Sequence, residues 1–323
     1  MQRSNTPEVS FDSVREAQAR LGTRVHQTPV VTSSSFNALV SADVYFKCES
    51  LQRGGAFKAR GALNAVLSLD DAIAARGVVA HSSGNHGAAV ALAARERGVR
   101  ADIVVPRNSA KAKIAAAERY GARMSFCEPT MAAREAMAQE IVDRTGGALV
   151  HPFDNPHVIA GQGTATLELL QQHPGIEVVM APISGGGLIS GTSLAAHGVN
   201  PAIRVVGAEP RLADDAARSL ASGRIEVNTG GETIADGLRA TLSPRTLGLI
   251  REHVESIATV SEEEIITAMR TFADIFKLII EPSSAVPVAA LLYGRVPNTA
   301  GRRIGVIISG GNVDLDVLRW RPG

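Results

Sequence analysis

Between residues 77 and 144, short apolar runs alternate with alanine-rich helical segments, and this alternation admits few folds. Gly77 to His81 predicts a short buried strand, Asn85 to Arg97 a helix, Ala101 to Val105 a strand and Ala110 to Tyr120 a helix. Ala122 to Phe126 predicts a further strand and Met131 to Arg144 a further helix. Such βα units in succession imply a parallel sheet with helices packed on it. Ile176 to Ala181, Arg204 to Ala208 and Arg303 to Ile308 are strands of a larger unit that the first one interrupts. The expected architecture is α/β, with two parallel-sheet domains. The large one comprises residues 1–52 and 148–323, and the small one, residues 53–147, is inserted in it.

Composition excludes several functions. The net charge of +1 gives no electrostatic basis for binding nucleic acid or an anionic membrane, and 4% aromatic residues offer no base-stacking surface. The two cysteines, Cys48 and Cys127, form neither a disulfide framework nor a metal-binding spacing, which suits a reducing cytosol. No apolar run has the length of a membrane span or the flanks of a signal peptide. A soluble, cytoplasmic protein is expected.

Chemistry concentrates at strand-to-helix junctions. Val44 to Lys47 ends a strand, Gly54 and Gly55 break it, and from Arg60 the spacing of Ala62, Ala65, Val66 and Leu69 predicts a helix. Lys58, one of only five lysines against 28 arginines, falls at this junction beside Phe57. An aromatic neighbour and a helix start both make its charge costly, and a neutral amine is the form that condenses with an aldehyde. A second junction, Ser82-Ser83-Gly84-Asn85-His86-Gly87, combines helix N–H groups with side-chain donors and suits a carboxylate. A third, Ser184-Gly185-Gly186-Gly187-Leu188-Ile189-Ser190-Gly191, exposes successive N–H groups to a phosphate. Gly185-x-Gly187-x-x-Ser190, followed by a strand that ends at Glu209, also approaches a dinucleotide fingerprint. On these residues alone an NAD-dependent oxidoreductase stays open. Glu209-Pro210-Arg211-Leu212-Ala213-Asp214-Asp215 offers two carboxylates and a carbonyl to a hard divalent cation, or equally an acidic helix cap.

The stretch Phe46 to Ala62 resembles the lysine loop of the fold-type II pyridoxal-phosphate (PLP) enzymes, in the serine/threonine dehydratase and serine racemase branch. The loops at Ser82 and Ser184 resemble the same family. So do Gly161-Gln162-Gly163-Thr164, which opens an expected helix running through Leu170, Thr233-Ile234-Ala235-Asp236-Gly237-Leu238, Glu281-Pro282-Ser283-Ser284-Ala285 and Ser309-Gly310-Gly311-Asn312. The resemblance covers essentially the whole chain and implies a tryptophan synthase β-like fold with the cofactor in the cleft between the domains. It assigns Lys58 to the cofactor aldehyde beside Phe57. Gly185, Gly186, Gly187 and Leu188 would hold its phosphate, Asn85 its O3′ atom and Ser309 its pyridine nitrogen, with Gly237 and Glu281 near the ring. Ser82, Ser83, Asn85, His86 and Arg134 would hold the substrate carboxylate. Lys58 and Ser83 would be the catalytic pair on opposite faces. Glu209, the Ala213 carbonyl and Asp215 match the positions that hold Mg²⁺ (or Ca²⁺ or Mn²⁺) in the racemase-like branch.

A neutral serine at the ring nitrogen does not force the ring to be protonated, which favours prompt loss of a β-leaving group over transamination. The implied activity is a dehydratase (ammonia-lyase) that converts L-threonine or L-serine to a 2-oxo acid. The alternatives are a serine racemase or a threo-3-hydroxyaspartate dehydratase. Racemases of the branch carry a hydroxyl residue where this chain has Ala240, which weighs against racemisation. The implied partners are a small amino-acid substrate and a second copy of the chain in a homodimer. A non-catalytic ligand-sensing protein on the same scaffold is the third class.

Overall fold

The computed structural model describes residues 8–82, 84–108 and 111–314. Its strands, in chain order, are β1 (Val30–Val31), β2 (Asp43–Cys48), β3 (Val78–His81), β4 (Ala101–Pro106), β5 (Arg123–Cys127), β6 (Ala148–Leu149), β7 (Val178–Pro182), β8 (Arg204–Pro210), β9 (Ser256–Val260) and β10 (Arg303–Ile308). They form a six-stranded sheet in the order β1-β2-β10-β7-β8-β9 and a four-stranded sheet in the order β5-β4-β3-β6. All neighbours are parallel except β1, which runs antiparallel to β2. β3, β4 and β7 are buried throughout, as parallel strands with both faces covered must be.

The smaller sheet takes its strands from residues 78–149, so it runs two residues past the boundary expected at 147. Ala148 and Leu149 pair with Val78 and Val79; a strand that short leaves no periodicity to read. Two helices begin earlier than expected. Lys58 itself opens the helix Lys58–Leu67. The helix expected from Gly161 spans Pro156–Gln172, because Asn155 caps it by accepting the Val158 N–H at 3.1 Å and Pro156 fills its first turn.

Apolar contacts hold the large sheet to its helices. Phe46 on β2 meets Phe36, Phe272 and Phe276 edge-on at ring separations of 4.9 to 5.1 Å, contacts worth about 0.5–1.5 kcal/mol each beyond simple burial. A buried ion cluster fixes the Lys58 helix. Arg60, 1% exposed, donates from Nε and Nη2 to Glu49, each at 2.8 Å, and from Nη1 to Glu168 at 3.1 Å. Lys47 donates to Glu168, to the Thr28 carbonyl and to Gln172, while the Thr28 hydroxyl donates to Glu49 at 2.7 Å. Two cations and two carboxylates thus join β2, the lysine helix and the Pro156–Gln172 helix.

The topology decides what lies together. β2, β10, β7 and β8 are successive parallel neighbours, so their C-terminal ends share one edge of the sheet. Those ends lead into Lys58, Ser309, the Gly185–Gly187 loop and Glu209. The ends of β3 and β6 lead into Ser82–His86 and His151–Phe153. Among the described residues no helix is long and apolar enough to cross a membrane.

Candidate active site

After β2 two tight turns carry the chain to Lys58, with Gly54 at φ 71° and Gly55 at φ 73°. This segment is tied to the end of a different strand. Ala56 bridges Gly310, and the Phe57 N–H donates to the Ser309 carbonyl at 2.9 Å. Lys58 Nζ donates to the Pro152 carbonyl at 2.8 Å and lies 5.1 Å from the centre of the Phe57 ring. Burial pulls its pKa down to about 8, against the opposing pull of the Glu281 carboxylate. A minor neutral fraction is therefore available near neutrality, and it grows as the pH rises toward 8.

The Ser184–Gly187 loop joins β7 to the helix Gly187–Val199. Gly186 has φ 87°, and a methyl group on Gly185 would stand 2.3 Å from the Phe153 ring. Side chains are excluded here on both counts. The N–H groups of Gly185, Gly186, Gly187 and Leu188 meet no acceptor among the described residues, although all four residues are buried. Consecutive buried donors at a helix start form an anion site. The start of the helix Asn85–Arg97 repeats the pattern, with the N–H groups of Asn85, His86 and Gly87 likewise without an acceptor among the described residues.

The two sheets meet through Asn85. Its Nδ2 donates to both Glu281 oxygens, at 3.2 and 3.0 Å, and its Oδ1 accepts from Asn312 Nδ2 at 2.9 Å. Ser309, 2% exposed, pairs its hydroxyl with that of Ser284 at 2.9 Å. The Gly237 N–H donates to Ser283 Oγ at 3.2 Å. Ser82 Oγ accepts from the Gly84 N–H at 3.2 Å, and Ser83 lies outside the described residues.

Three imidazoles line the opposite side, all kept neutral. Burial pushes His86 down to about 3 and His151 down to about 4, and lowers His81 as well, despite Glu135. His86 differs from the expected carboxylate ligand: its Nε2 is 2.8 Å from the Val150 carbonyl and so carries the donated proton. Its Nδ1 lone pair is buried without a partner among the described residues and would repel a carboxylate. What His86 retains for an anion is its backbone N–H. Arg134 stands close enough to His81 to disfavour a charge there, and its Nε is buried without a partner among the described residues.

The chain matches the family described as "Pyridoxal-phosphate dependent enzyme" over residues 22–310. It belongs to that family. It is 48% identical over 310 residues to a serine racemase of Oryza sativa subsp. indica, which spans 95% of this chain and 91% of that protein. It is 45% identical over 312 residues to a beta-hydroxyaspartate dehydratase of Paracoccus denitrificans (strain Pd 1222), over 96% and 98% of the two chains. The solved structure of maize serine racemase superposes with a TM-score of 0.94 at 46% identity, covering 96% of this chain and 95% of that one.

This PLP-dependent enzyme has the fold-type II architecture expected from its motifs. The cofactor fits the site on the molecule's own terms. An amine with a lowered pKa, four buried N–H groups unpaired among the described residues and a buried serine hydroxyl arrive on three adjacent strands. The dinucleotide reading fails at its acid. Glu209, 1% exposed, turns back to accept the Ala216 and Ala217 N–H groups at 3.3 and 2.9 Å, and is not presented to a ribose. Sequence reasoning missed Pro152, Phe153 and Asn312 as neighbours of the site. Their only signal was the His-Pro-Phe-Asp-Asn run and the glycines before Asn312, and neither states what it will face.

Proposed function

We propose that this enzyme dehydrates and deaminates threo-3-hydroxyaspartate, releasing oxaloacetate and ammonia. One observation carries this reading: the Arg134 guanidinium has a buried Nε with no partner among the described residues, beside His81, which suits a second substrate carboxylate. The relatives named serine racemase and beta-hydroxyaspartate dehydratase favour such a substrate, or serine racemisation, over the plain threonine or serine dehydratase expected from the motifs. Serine racemisation is the second reading. The rice relative's name favours it, and Ala240, with no hydroxyl to offer a substrate, weighs against it.

The roles follow from the groups present. Bound PLP would supply an electron sink that acidifies the substrate's α-hydrogen. Lys58 would hold the cofactor and, in its neutral form, would take the α-proton. Gly185, Gly186, Gly187 and Leu188 would grip its phosphate through their N–H groups, and Ser309 would face the ring nitrogen. Asn85, kept in place by Glu281 and Asn312, would bond the ring oxygen, with Gly237 beside it. The start of the Asn85 helix, with Ser82 and Ser83, takes the α-carboxylate, and Arg134 takes the β-carboxylate. Phe57 and Phe153 keep water from the amine.

A divalent cation, Mg²⁺ or its Ca²⁺ and Mn²⁺ analogues, is part of the proposal. Burial raises Glu209 well above the usual carboxylate range and raises Asp215 to about 6, and Asp215 Oδ2 is buried without a partner among the described residues. With Ala213 buried beside them, two such carboxylates and a carbonyl fit a hard cation that keeps some of its waters. Among the described residues no three His, Cys, Asp or Glu side chains cluster for a metal, so a softer, nitrogen- or sulfur-bound ion is not proposed. Asp215 is ionised above about pH 6, where its buried charge destabilises the fold and a cation relieves this. Mg²⁺ is expected to raise the melting temperature by a few degrees at pH 8, less at pH 5, and not at all in Asp215→Asn.

We also propose that the two sheets define separate domains and that the enzyme is a cytoplasmic homodimer. The free, buried Cys48 and Cys127 support the compartment, and the exposed Leu212, Val227 and Ile234 support the association.

The test of substrate is direct. With PLP supplied, kcat/KM for threo-3-hydroxyaspartate should exceed that for L-serine and L-threonine by at least ~10-fold, the effect of one charge-assisted contact. Arg134→Leu should erase the preference while sparing serine turnover. Equal turnover of all three substrates by the wild type would sink the reading.

A further inference from the structure

Ser284 is the one polar side-chain neighbour of the Ser309 hydroxyl among the described residues, and it is itself fully buried. Its Oγ accepts the Gly310 N–H at 2.7 Å and lies 2.7 Å from the Gly310 carbonyl oxygen. A hydroxyl has a single proton to give, so two arrangements satisfy every group. In one, Ser284 donates to the Gly310 carbonyl and accepts the Ser309 proton, leaving Ser309 with only lone pairs to present to the site. In the other, Ser284 donates to Ser309, and Ser309 turns its own proton toward the site. The Gly310 carbonyl keeps the Glu281 N–H, at 3.1 Å, in both.

We propose that Ser284 is a positioning residue that lets Ser309 act as acceptor as well as donor toward the cofactor's ring nitrogen, and so admits a protonated ring. This rests on the reading of Ser309 as the partner of that nitrogen. A serine without Ser284 behind it has no buried acceptor for its proton and is left to donate. It then meets a protonated ring with two opposed hydrogens, which costs an unsatisfied buried donor. The charged groups around the pair are Glu281, whose Oε1 lies 2.6 Å from the position a Cβ on Gly310 would occupy, and Lys58, whose segment is bridged to Gly310 through Ala56. Neither can stand in for Ser284 as the fixed acceptor, because Glu281 holds Asn85 and Lys58 donates to Pro152. The expected consequence is control of outcome. A protonated ring holds the α-carbanion longer and allows α-hydrogen exchange, whereas a neutral ring favours immediate loss of the β-group.

The experiment loads the protein with PLP labelled with ¹⁵N in the ring and follows the ring-nitrogen signal against pH. In Ser284→Ala the titration midpoint should fall by about one pH unit, the size of one net hydrogen bond, and α-deuterium exchange should fall relative to oxo-acid release. Ser284→Thr keeps the hydroxyl and should restore both. An alanine variant whose ring signal matches the wild type overturns the proposal, as does a threonine variant that behaves like alanine. A wild type with no bound-cofactor signal at all would overturn the underlying cofactor site instead, and the proposal with it.

Discussion

Lys58 and Arg60 stand two residues apart on one helix, and their surroundings treat charge in opposite ways. Burial works against the charge of both. For Arg60, Glu49 and Glu168 outweigh it and push the guanidinium pKa up, while Arg60 in turn holds the buried Glu49 below its usual range. For Lys58 burial wins, and the amine rests on a carbonyl oxygen with its pKa lowered. The same contrast separates the whole ion cluster from the whole site. Around Arg60 the charges are answered, and they tie the helix to Glu49 and Glu168. Around Lys58, the loop N–H groups at 185–188, the His86 Nδ1 and the Arg134 Nε are left without partners among the described residues. Unanswered groups in a buried place are unfavourable for folding, and they are what a ligand can satisfy.

Breaking the answered side should give the largest effect. Arg60→Met leaves Glu49 and Glu168 buried with only Lys47 between them and should cost about 3–5 kcal/mol, read as a lower urea midpoint. Adding Glu49→Gln should recover part of that loss; a single variant as stable as the wild type would show that the cluster is not what holds the helix. On the unanswered side, Gly185→Ala drives a methyl group into Phe153 and displaces the N–H row. It should weaken PLP binding ~10- to 100-fold in apo-protein titrations, with little change in melting temperature before the cofactor is added. The smallest effect sharpens the contrast itself. PLP capture by the apo-protein needs the neutral amine, so its rate should rise with pH through a midpoint near 8. Glu281→Gln removes the charge that favours the protonated amine, and the midpoint should move to lower pH. A shift to higher pH would contradict the assigned role of Glu281.

Much of this was legible in the sequence because the chemistry sits in contiguous runs. The lysine junction, the triple-glycine loop and the Ser82–Gly87 turn each carry their own local geometry. A strand followed by glycines and a helix start exposes N–H groups wherever it is placed. The alternation of strands and helices likewise predicted the smaller parallel sheet, because covered parallel strands are apolar on both faces. His86 was harder: its place in the motif suggested a ligand, but Val150, distant in sequence, claims its ring. The start of the Pro156–Gln172 helix was missed because its cap lies in a run dominated by prolines and a phenylalanine.

By itself, then, the sequence determined the strand–helix alternation, the glycine loop at 185–187 and the junction that carries Lys58, since each depends on neighbours along the chain. Only the tertiary structure decided which strands are adjacent. The order β2-β10-β7-β8 brings residues 58, 309, 185 and 209 to one edge, and no local pattern encodes that order. It also decided which polar groups are answered. Whether Arg60 meets Glu49 and Glu168, or Ser309 meets Ser284, depends on contacts between distant segments, and those contacts set both the charge of a buried group and the direction in which a hydroxyl points its proton.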